Sequence, residues 1–558
     1  MEYSKVWWKE AVIYQIYPRS FMDSNADGIG DLKGITSKID YLKDLGVDVI
    51  WLSPHFKSPN IDNGYDISDY ENILEEFGTM ADFDKMLAAL HQNGLKLIID
   101  LVVNHTSDQH EWFKQASSSK ENPYRDFYHW KEEIPNDWVS FFSGSAWTQD
   151  KSTNEYYLHL FDKKQPDLNW ENPKLRRAIY AMMIFWLNKG INGFRMDVIS
   201  LIAKDLDFPN FPLNRFGDLS YYANGPKVHE YLQEMNQEVL SKYDCMTVGE
   251  AFGVQAEQAT SYVSNDRKEL NMIYHFDHAV PREESCFIEP KKEFSLVELK
   301  FIFNKWDKAI GTNGWNTVYF GNHDNPRMLS RFGDTGKYFQ ASAKMLATVL
   351  LTLPGTPFMY QGDEIGMSNA NFTEIAEYDD VQVFNAFEVL VNQQGNSSEE
   401  FLKASNQIAR DHARTPMQWN KNKNAGFSKA DKTWLKLNDN YTQVNVADQV
   451  EQSNSILNYY KKLIQLRKKH EVFVYGNYVD LRPNCDKIWL YKRCLEGKNL
   501  LVMNNFTPTT QSFQLDFEIK DKSLLLSNLE EVELLEIQQF TLRPFESRIY
   551  LYFEALQT

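Results

Sequence analysis

Eight short apolar runs, rich in β-branched and aromatic residues, punctuate the first two thirds of this chain, each closed by Gly, Pro, Asp or Asn before a helical pattern begins. They are "AVIYQIYP" from Ala11, "VDVIWLSP" from Val47, "LKLIIDLVV" from Leu95, "GFRMDV" from Gly193, "CMTVGEA" from Cys245, "NMIYHFDH" from Asn271, "NTVYFGNHD" from Asn316 and "GTPFMYQGDEIG" from Gly355. Strands alternating with helices build parallel sheets joined by crossovers, and eight such units close a (β/α)8 TIM barrel. In the first crossover Leu32, Ile35, Ile39, Leu42 and Leu45 recur at three- and four-residue spacing, the stripe a helix needs to lie on a barrel.

Two stretches break the alternation. Between the third and fourth runs lie roughly 90 residues, far more than a βα loop needs, and their content ("YRDFYHW", "DWVSFFSGSAW", "NEYYLHLF") is aromatic and strand-prone. Residues 105–171 are therefore expected to form an inserted subdomain over the barrel mouth. A Gly/Asn/Glu-rich stretch at about 367–450 reads as a second, irregular insertion, after which "SILNYYKKLIQLRKKH" closes the barrel as a helix. The barrel thus takes residues 1–104 and 172–470. Residues 471–558, with "KIWLYKRC", "NLLVMNNF" and "ESRIYLYF", read as a C-terminal antiparallel β-sandwich domain.

A formal net charge of −18 opposes binding to nucleic acid or anionic lipid, and no basic run overrides it locally. The N-terminus lacks the apolar core of a signal peptide, and no run of about 18 apolar residues is available to span a membrane. Cys245, Cys286, Cys485 and Cys494 have neither metal-like nor redox-like spacing. A cytoplasmic location is expected, as a monomer or homodimer, without nucleic-acid or membrane partners. The 14 Trp, 29 Tyr and 36 Phe supply rings suited to stacking on flat neutral sugars.

Chemistry in such a barrel sits where strands end. The third run ends in Asp100, Asn104 and His105, the fourth in Arg195 and Asp197, the fifth in Glu250, and the seventh in His323 and Asp324. Carboxylates converging from several strand ends suit a reaction with a cationic transition state between two carboxyl groups, as in glycoside hydrolysis. Arg195 shares a strand face with Asp197 and would keep it ionised, as a nucleophile must be; burial beside other carboxylates would keep Glu250 protonated, as an acid must be.

The segments "DLVVNHT", "GFRMDVIS", "TVGEA" and "FGNHDNPR", in this order, resemble the four sequence regions of the α-amylase family, glycoside hydrolase family 13. "QPDLN" from Gln165, "SPNIDNGYDISDY" and "RTPMQW" at Arg414 resemble its oligo-1,6-glucosidase and α-glucosidase branch, so the likeness spans nearly the entire chain. It implies Asp197 as nucleophile, Glu250 as acid and then base, and Asp324 as a third carboxylate on the distorted sugar. Tyr65 would stack under the sugar, His105 and His323 would bond its hydroxyls, and Asp62 with Arg414 would clamp its non-reducing end, closing the cleft into an exo-acting pocket. Phe142 or Phe141 would line that pocket.

Within this branch a valine after the nucleophile, here Val198, is associated with α-1,6 bonds, which with "QPDLN" points to isomaltose-type oligosaccharides. Two stretches depart from the pattern. "HFDHAVPREESCFIEPKKEF" differs from that of oligo-1,6-glucosidases and lacks the "RLDRD" element of sucrose isomerases, and "GEAFG" replaces the usual Glu-Met or Glu-Thr pair. These leave α-1,4 maltosides, sucrose, trehalose 6-phosphate and transglucosylation open, with Lys291 and Lys292 as a thin candidate for phosphate. A non-catalytic amylase-like ectodomain would carry a membrane span and lose the carboxylates that this chain keeps.

Finally, "DSNADGIGD" sets oxygen ligands at alternate positions around Gly28, as in an EF-hand loop, but its twelfth position is Gly34 and a strand precedes it. Related α-glucosidases hold calcium in a similar loop. The resemblance therefore implies a structural Ca²⁺ site of Asp23, Asn25, Asp27, the Ile29 carbonyl and Asp31, which Mg²⁺ could also enter.

Overall fold

The computed structural model describes residues 5–212, 217–279, 284–289, 294–517, 519, 522–530 and 539–553. All eight runs are strands: Ile13–Ile16, Val49–Leu52, Lys96–Val102, Gly193–Asp197, Met246–Glu250, Met272–Tyr274, Thr317–Val318 and Thr356–Tyr360. They pair in parallel in the cyclic order 6-5-4-3-2-1-8-7. Between strands six and seven, Thr317 Oγ1 donates to the Ile273 carbonyl at 2.9 Å, so the sheet is nearly closed.

Both faces of these strands are apolar, as parallel strands covered on both sides require. Ile13, Val49, Trp51, Ile98, Val248, Tyr274 and Phe358 pack together inside the barrel, while the alternate residues Tyr14, Ile50, Leu97, Ile99 and Phe194 join the apolar stripes of the helices outside. Following the inward rows two residues further brings Gln15, Asp100, Asp197 and Glu250 to the C-terminal mouth. The active-site row is thus the polar end of the core row.

The first crossover is two helices, Leu32–Thr36 and Ile39–Leu45, rather than one. Ser37 and Lys38 interrupt it, yet all five apolar residues of the stripe stay buried. After the third strand, Trp130–Lys131, Trp147–Asp150 and Glu155–Leu158 form a small antiparallel sheet. Residues 367–450 are more helical than their composition suggests, with helices Val381–Phe387 and Ser398–Ile408 joined through a π-helical turn at Glu388–Gln393. Val383, Ala386 and Leu390 bury one face against Phe372 and Phe401, a signal that the surrounding Asn and Gln dilute. The helix Ile456–Lys469 follows. At the C-terminal end a five-stranded antiparallel sheet and a two-stranded one enclose Ile488, Leu501, Phe513, Phe540 and Tyr550. Lys291 and Lys292 lie outside the described residues.

The first insertion is tied to the barrel mouth by a buried cation. Lys204 Nζ donates to Asn104 Oδ1 at 2.9 Å and to the Leu201 carbonyl at 2.7 Å, and pairs with Asp167 Oδ2 at 2.9 Å. Replacing Lys204 with Met strands the fully buried Asp167 carboxylate. Breaking such a pair from one side costs about 3–5 kcal/mol, so Lys204→Met should lower the urea midpoint accordingly. A Lys204→Met/Asp167→Leu double variant should recover part of that loss; a single variant as stable as wild type would show the tie to be dispensable.

Candidate active site

The mouth is organised by Arg195, which is 1% exposed. Its strand register sets it beside Asp100 on the third strand and Val248 on the fifth. From there Nη1 reaches Asp100 Oδ1 and Asp197 Oδ1, both at 2.6 Å, and Nη2 reaches Glu250 Oε2 at 2.5 Å. Asp100 Oδ2 also accepts from Trp51 Nε1 at 2.7 Å. Asp197 and Glu250 are thus bridged by one guanidinium. A retaining pair stands about 5–5.5 Å apart, an inverting pair farther, so that a water fits between.

Glu250 Oε2 accepts a second bond, from the Val198 amide at 3.0 Å. With Oε2 saturated by two donors, a proton on this acid belongs on Oε1. Val198 presents its amide from a left-handed backbone, φ 33° and ψ 42°, a strained state for a β-branched residue.

Burial is the main force on these groups, and Arg195 opposes it. It pushes Asp197 up to about 6 and Glu250 up to about 7, with Asp100 also raised to about 6. Arg195 favours the ionised form of Asp197, but desolvation outweighs it and leaves the carboxyl above its ordinary range. The order still favours an ionised aspartate beside a protonated glutamate near neutrality.

At the far end of the pocket Asp62 Oδ1 is met by Arg410 Nη2 at 3.2 Å, and the charge of Arg414 also bears on it. Arg414 holds Asp324 Oδ1 at 3.1 Å and donates through Nε to the His323 carbonyl. Arg410 also touches Asp324 Oδ1 at 3.3 Å. The two arginines lie four residues apart around one short helical turn, Asp411–Arg414, so spacing alone could not separate their roles. Gln165 Nε2 donates to Asp62 Oδ2 at 3.2 Å and so joins the same group.

Tyr65 and His323 are stacked, with centroids 5.2 Å apart and planes within 5°. His323 Nδ1 faces Gln15 Nε2 at 2.7 Å and its buried Nε2 lies 3.4 Å from Asp324 Oδ2, while the buried Tyr65 hydroxyl makes no hydrogen bond, as suits a group that meets a ligand. His105 differs from expectation: Nε2 contacts the Tyr65 carbonyl at 3.0 Å and Gln165 at 3.3 Å, and Nδ1 faces Asn104. Both its nitrogens serve the walls. Phe142 is the pocket residue of the two candidates, since the Arg410 guanidinium lies 5.3 Å from its ring. Phe141 instead packs edge-on against Phe252 and Tyr222.

The loop after the first strand is held by its own oxygens. Asp23 accepts from the amides of Asn25, Ala26 and Gly28, Asn25 Oδ1 from that of Asp27, and Asp27 Oδ1 from that of Ile29. Asp31 accepts from Ser24 and, as a helix cap, from the Gly34 amide. Among the described residues no three acidic, His or Cys side chains converge to hold a metal by themselves. An all-oxygen donor set of this kind fits a hard cation only if Asn25 and the Ile29 carbonyl take part.

A family model of the alpha amylase catalytic domain matches residues 15–476. The chain belongs to the α-amylase family. It is similar to an oligo-1,6-glucosidase of Parageobacillus thermoglucosidasius, 52% identical with 98% of this chain and 99% of that protein covered, and to one of Bacillus cereus at 50%, with the same coverage. Among solved structures it is similar to a mutant isomaltulose synthase from Erwinia rhapontici NX5 in complex with sucrose, with a TM-score of 0.96, 43% identity, and coverage of 99% of this chain and 100% of that one. The protein is a glycoside hydrolase.

Such a pair is active with Asp197 ionised and Glu250 protonated. Activity should fall as pH drops through about 6, when Asp197 takes a proton, and as pH rises through about 7, when Glu250 loses one. Glu250→Gln should lower kcat by about 10²–10⁴-fold and abolish the alkaline limb of kcat/KM. An alkaline limb that persists in the variant would assign the acid elsewhere.

Proposed function

We propose that the protein is an exo-acting, retaining α-glucosidase that releases single glucose units from short α-1,6-linked oligosaccharides such as isomaltose, isomalto-oligosaccharides and dextran ends. The observation that carries this reading is the pair of buried charge clusters at the barrel mouth. Asp197 and Glu250 stand at one end on a shared guanidinium, and Asp62, Arg410 and Asp324 seal the other. A sugar whose terminal hydroxyls meet that seal has no room to extend beyond it.

In this reading Asp197 attacks the anomeric carbon through Oδ2, because Oδ1 is held by Arg195. The Oε1 proton of Glu250 passes to the glycosidic oxygen, and the aglycone leaves. Glu250 then takes a proton from water, whose oxygen displaces Asp197 and frees glucose. Asp324 and Nε2 of His323 bind the ring that distorts against them. The linkage rests on the relatives named oligo-1,6-glucosidase and on Val198 beside the nucleophile.

Phe252, two residues beyond Glu250, packs edge-on against Phe276 and Phe141. An apolar rim beside the acid disfavours water as the second acceptor, which supports a second reading in which a sugar hydroxyl takes the glucosyl group. kcat/KM on isomaltose, maltose, sucrose and trehalose 6-phosphate, with product analysis at high sugar concentration, decides between them. Isomaltose is expected to lead by at least about tenfold, with free glucose as the main product. A majority of new disaccharides would establish the transglucosylase instead.

Asp23, Asn25, Asp27, the Ile29 carbonyl and Asp31 are assigned to a structural Ca²⁺, with Mg²⁺ admissible, clasping the first βα loop. Chelator should lower the melting temperature and leave turnover of the folded enzyme intact, because the loop does not touch the catalytic pair. An unchanged melting temperature would leave a plain hydrogen-bonded turn. The substrate is a small neutral oligosaccharide. Among the described residues no helix is long and apolar enough to cross a membrane. A cytoplasmic monomer or homodimer without nucleic-acid partners fits the acidic composition.

A further inference from the structure

The segment from Asp379 to Asn385, inside the second insertion, reaches three separate walls of the pocket. The Asp379 carbonyl accepts from Asn63 Nδ2 at 3.0 Å, next to Asp62 in the loop after the second strand. Asp380 grips Arg410 through both carboxylate oxygens, from Nε at 2.9 Å and from Nη2 at 2.5 Å. Asn385 Nδ2 donates to the Phe142 carbonyl in the first insertion at 3.0 Å. Asp380 itself is fully buried, and Oδ1 also accepts the Gln382 amide as the cap of helix Val381–Phe387.

The Arg410 guanidinium needs this support. It is almost fully buried and shared between Asp62 and Asp324 at 3.2 and 3.3 Å, contacts too long to fix its plane. Only the fork on Asp380 has the short, paired geometry that sets a guanidinium's orientation. Burial alone would raise the Asp380 carboxyl; the ion pair with Arg410 overcomes it and holds that carboxyl below its usual range, so it stays charged. A helix-capping role accounts for one accepted amide. It does not account for two bonds to a clamp residue, nor for the flanking ties to Asn63 and Phe142.

We propose that Asp380 is the positioning residue of the specificity clamp: it sets the plane of Arg410, and segment 379–385 locks the Asp62 loop and Phe142 around it, restricting the pocket to one terminal sugar. Asp380 touches no substrate and acts through Arg410. This rests on the exo-acting reading above, and the test separates the two.

The probes are isomaltose and two analogues whose terminal ring lacks the 4- or the 6-hydroxyl. Wild type is expected to lose about 100-fold or more in kcat/KM on at least one analogue, as a site built to bond a hydroxyl does. Asp380→Asn should raise KM for isomaltose far more than it lowers kcat, and shrink the discrimination between isomaltose and that analogue to within about threefold. Asp380→Glu should restore part of it, since a carboxylate can still meet the fork. Asn385→Ala, at a half-buried site, severs only the Phe142 tie and should weaken discrimination in the same direction without loss of folding. A wild type that cleaves both analogues as fast as isomaltose overturns the exo-acting reading. Full discrimination retained in Asp380→Asn and in Asn385→Ala, or equal loss on all three sugars, overturns the positioning role alone.

Discussion

The catalytic end of this molecule depends on one buried guanidinium. Arg195 sits on the fourth strand, flanked in register by the third and fifth, and from there one side chain reaches carboxylates on three adjacent strands. Burying three carboxylates without a cation would keep them all protonated, and burying the cation alone would be worse. Together they leave a site short of positive charge, in which burial is the main reason that Asp100, Asp197 and Glu250 all rise. The shortage is useful to a reaction whose transition state is a cation. Asp100, which the strand-end list contained but gave no role, shares the arginine between two jobs and holds the Trp51 indole as well.

The opposite end solves the reverse problem. Arg410 and Arg414 are buried side by side and raise each other's cost, so each needs carboxylates of its own. Arg410 takes Asp62 and Asp380, while both reach the same oxygen, Oδ1, of Asp324. That concentration on one oxygen leaves Oδ2 of Asp324 facing His323 Nε2 at 3.4 Å, where a sugar hydroxyl can bond both. Asp324 thus belongs to both halves of the site: its backbone follows a barrel strand, and its charge is held by the insertion.

What was legible in the sequence follows from what period-two alternation encodes. The eight strands and the strand-end placing of Asp100, Asp197 and Glu250 were readable from the apolar runs, and the shared face of Arg195 and Asp197 because a strand fixes the face of every second residue. Register between strands was not, so the sharing of Arg195 by three carboxylates emerged only in three dimensions. Arg410 was not legible for a different reason: it lies one helical turn before the motif at Arg414 and carries no pattern of its own. Asp380 carried no signal, because a helix-capping aspartate in an Asn- and Gln-rich stretch looks like many others. His105 illustrates the limit of resemblance, since a residue expected to face sugar has both nitrogens engaged by Tyr65, Gln165 and Asn104.

Val198 links the two catalytic carboxylates more tightly than its side chain suggests. A β-branched residue at φ 33° stores strain of about 1–3 kcal/mol, and the folded state keeps it because the turned peptide aims its amide at Glu250 Oε2. The residue that follows the nucleophile therefore helps Arg195 to orient the acid. The same turn delivers the isopropyl group toward Leu201 and Phe211, in the cluster at the first insertion. Bulk at this position and orientation of the acid are mechanically coupled, so a substitution that changes the shape of the acceptor side also changes how firmly Oε2 is held. Glycine there would release the strain yet keep the amide, and Arg195 would still hold Oε2.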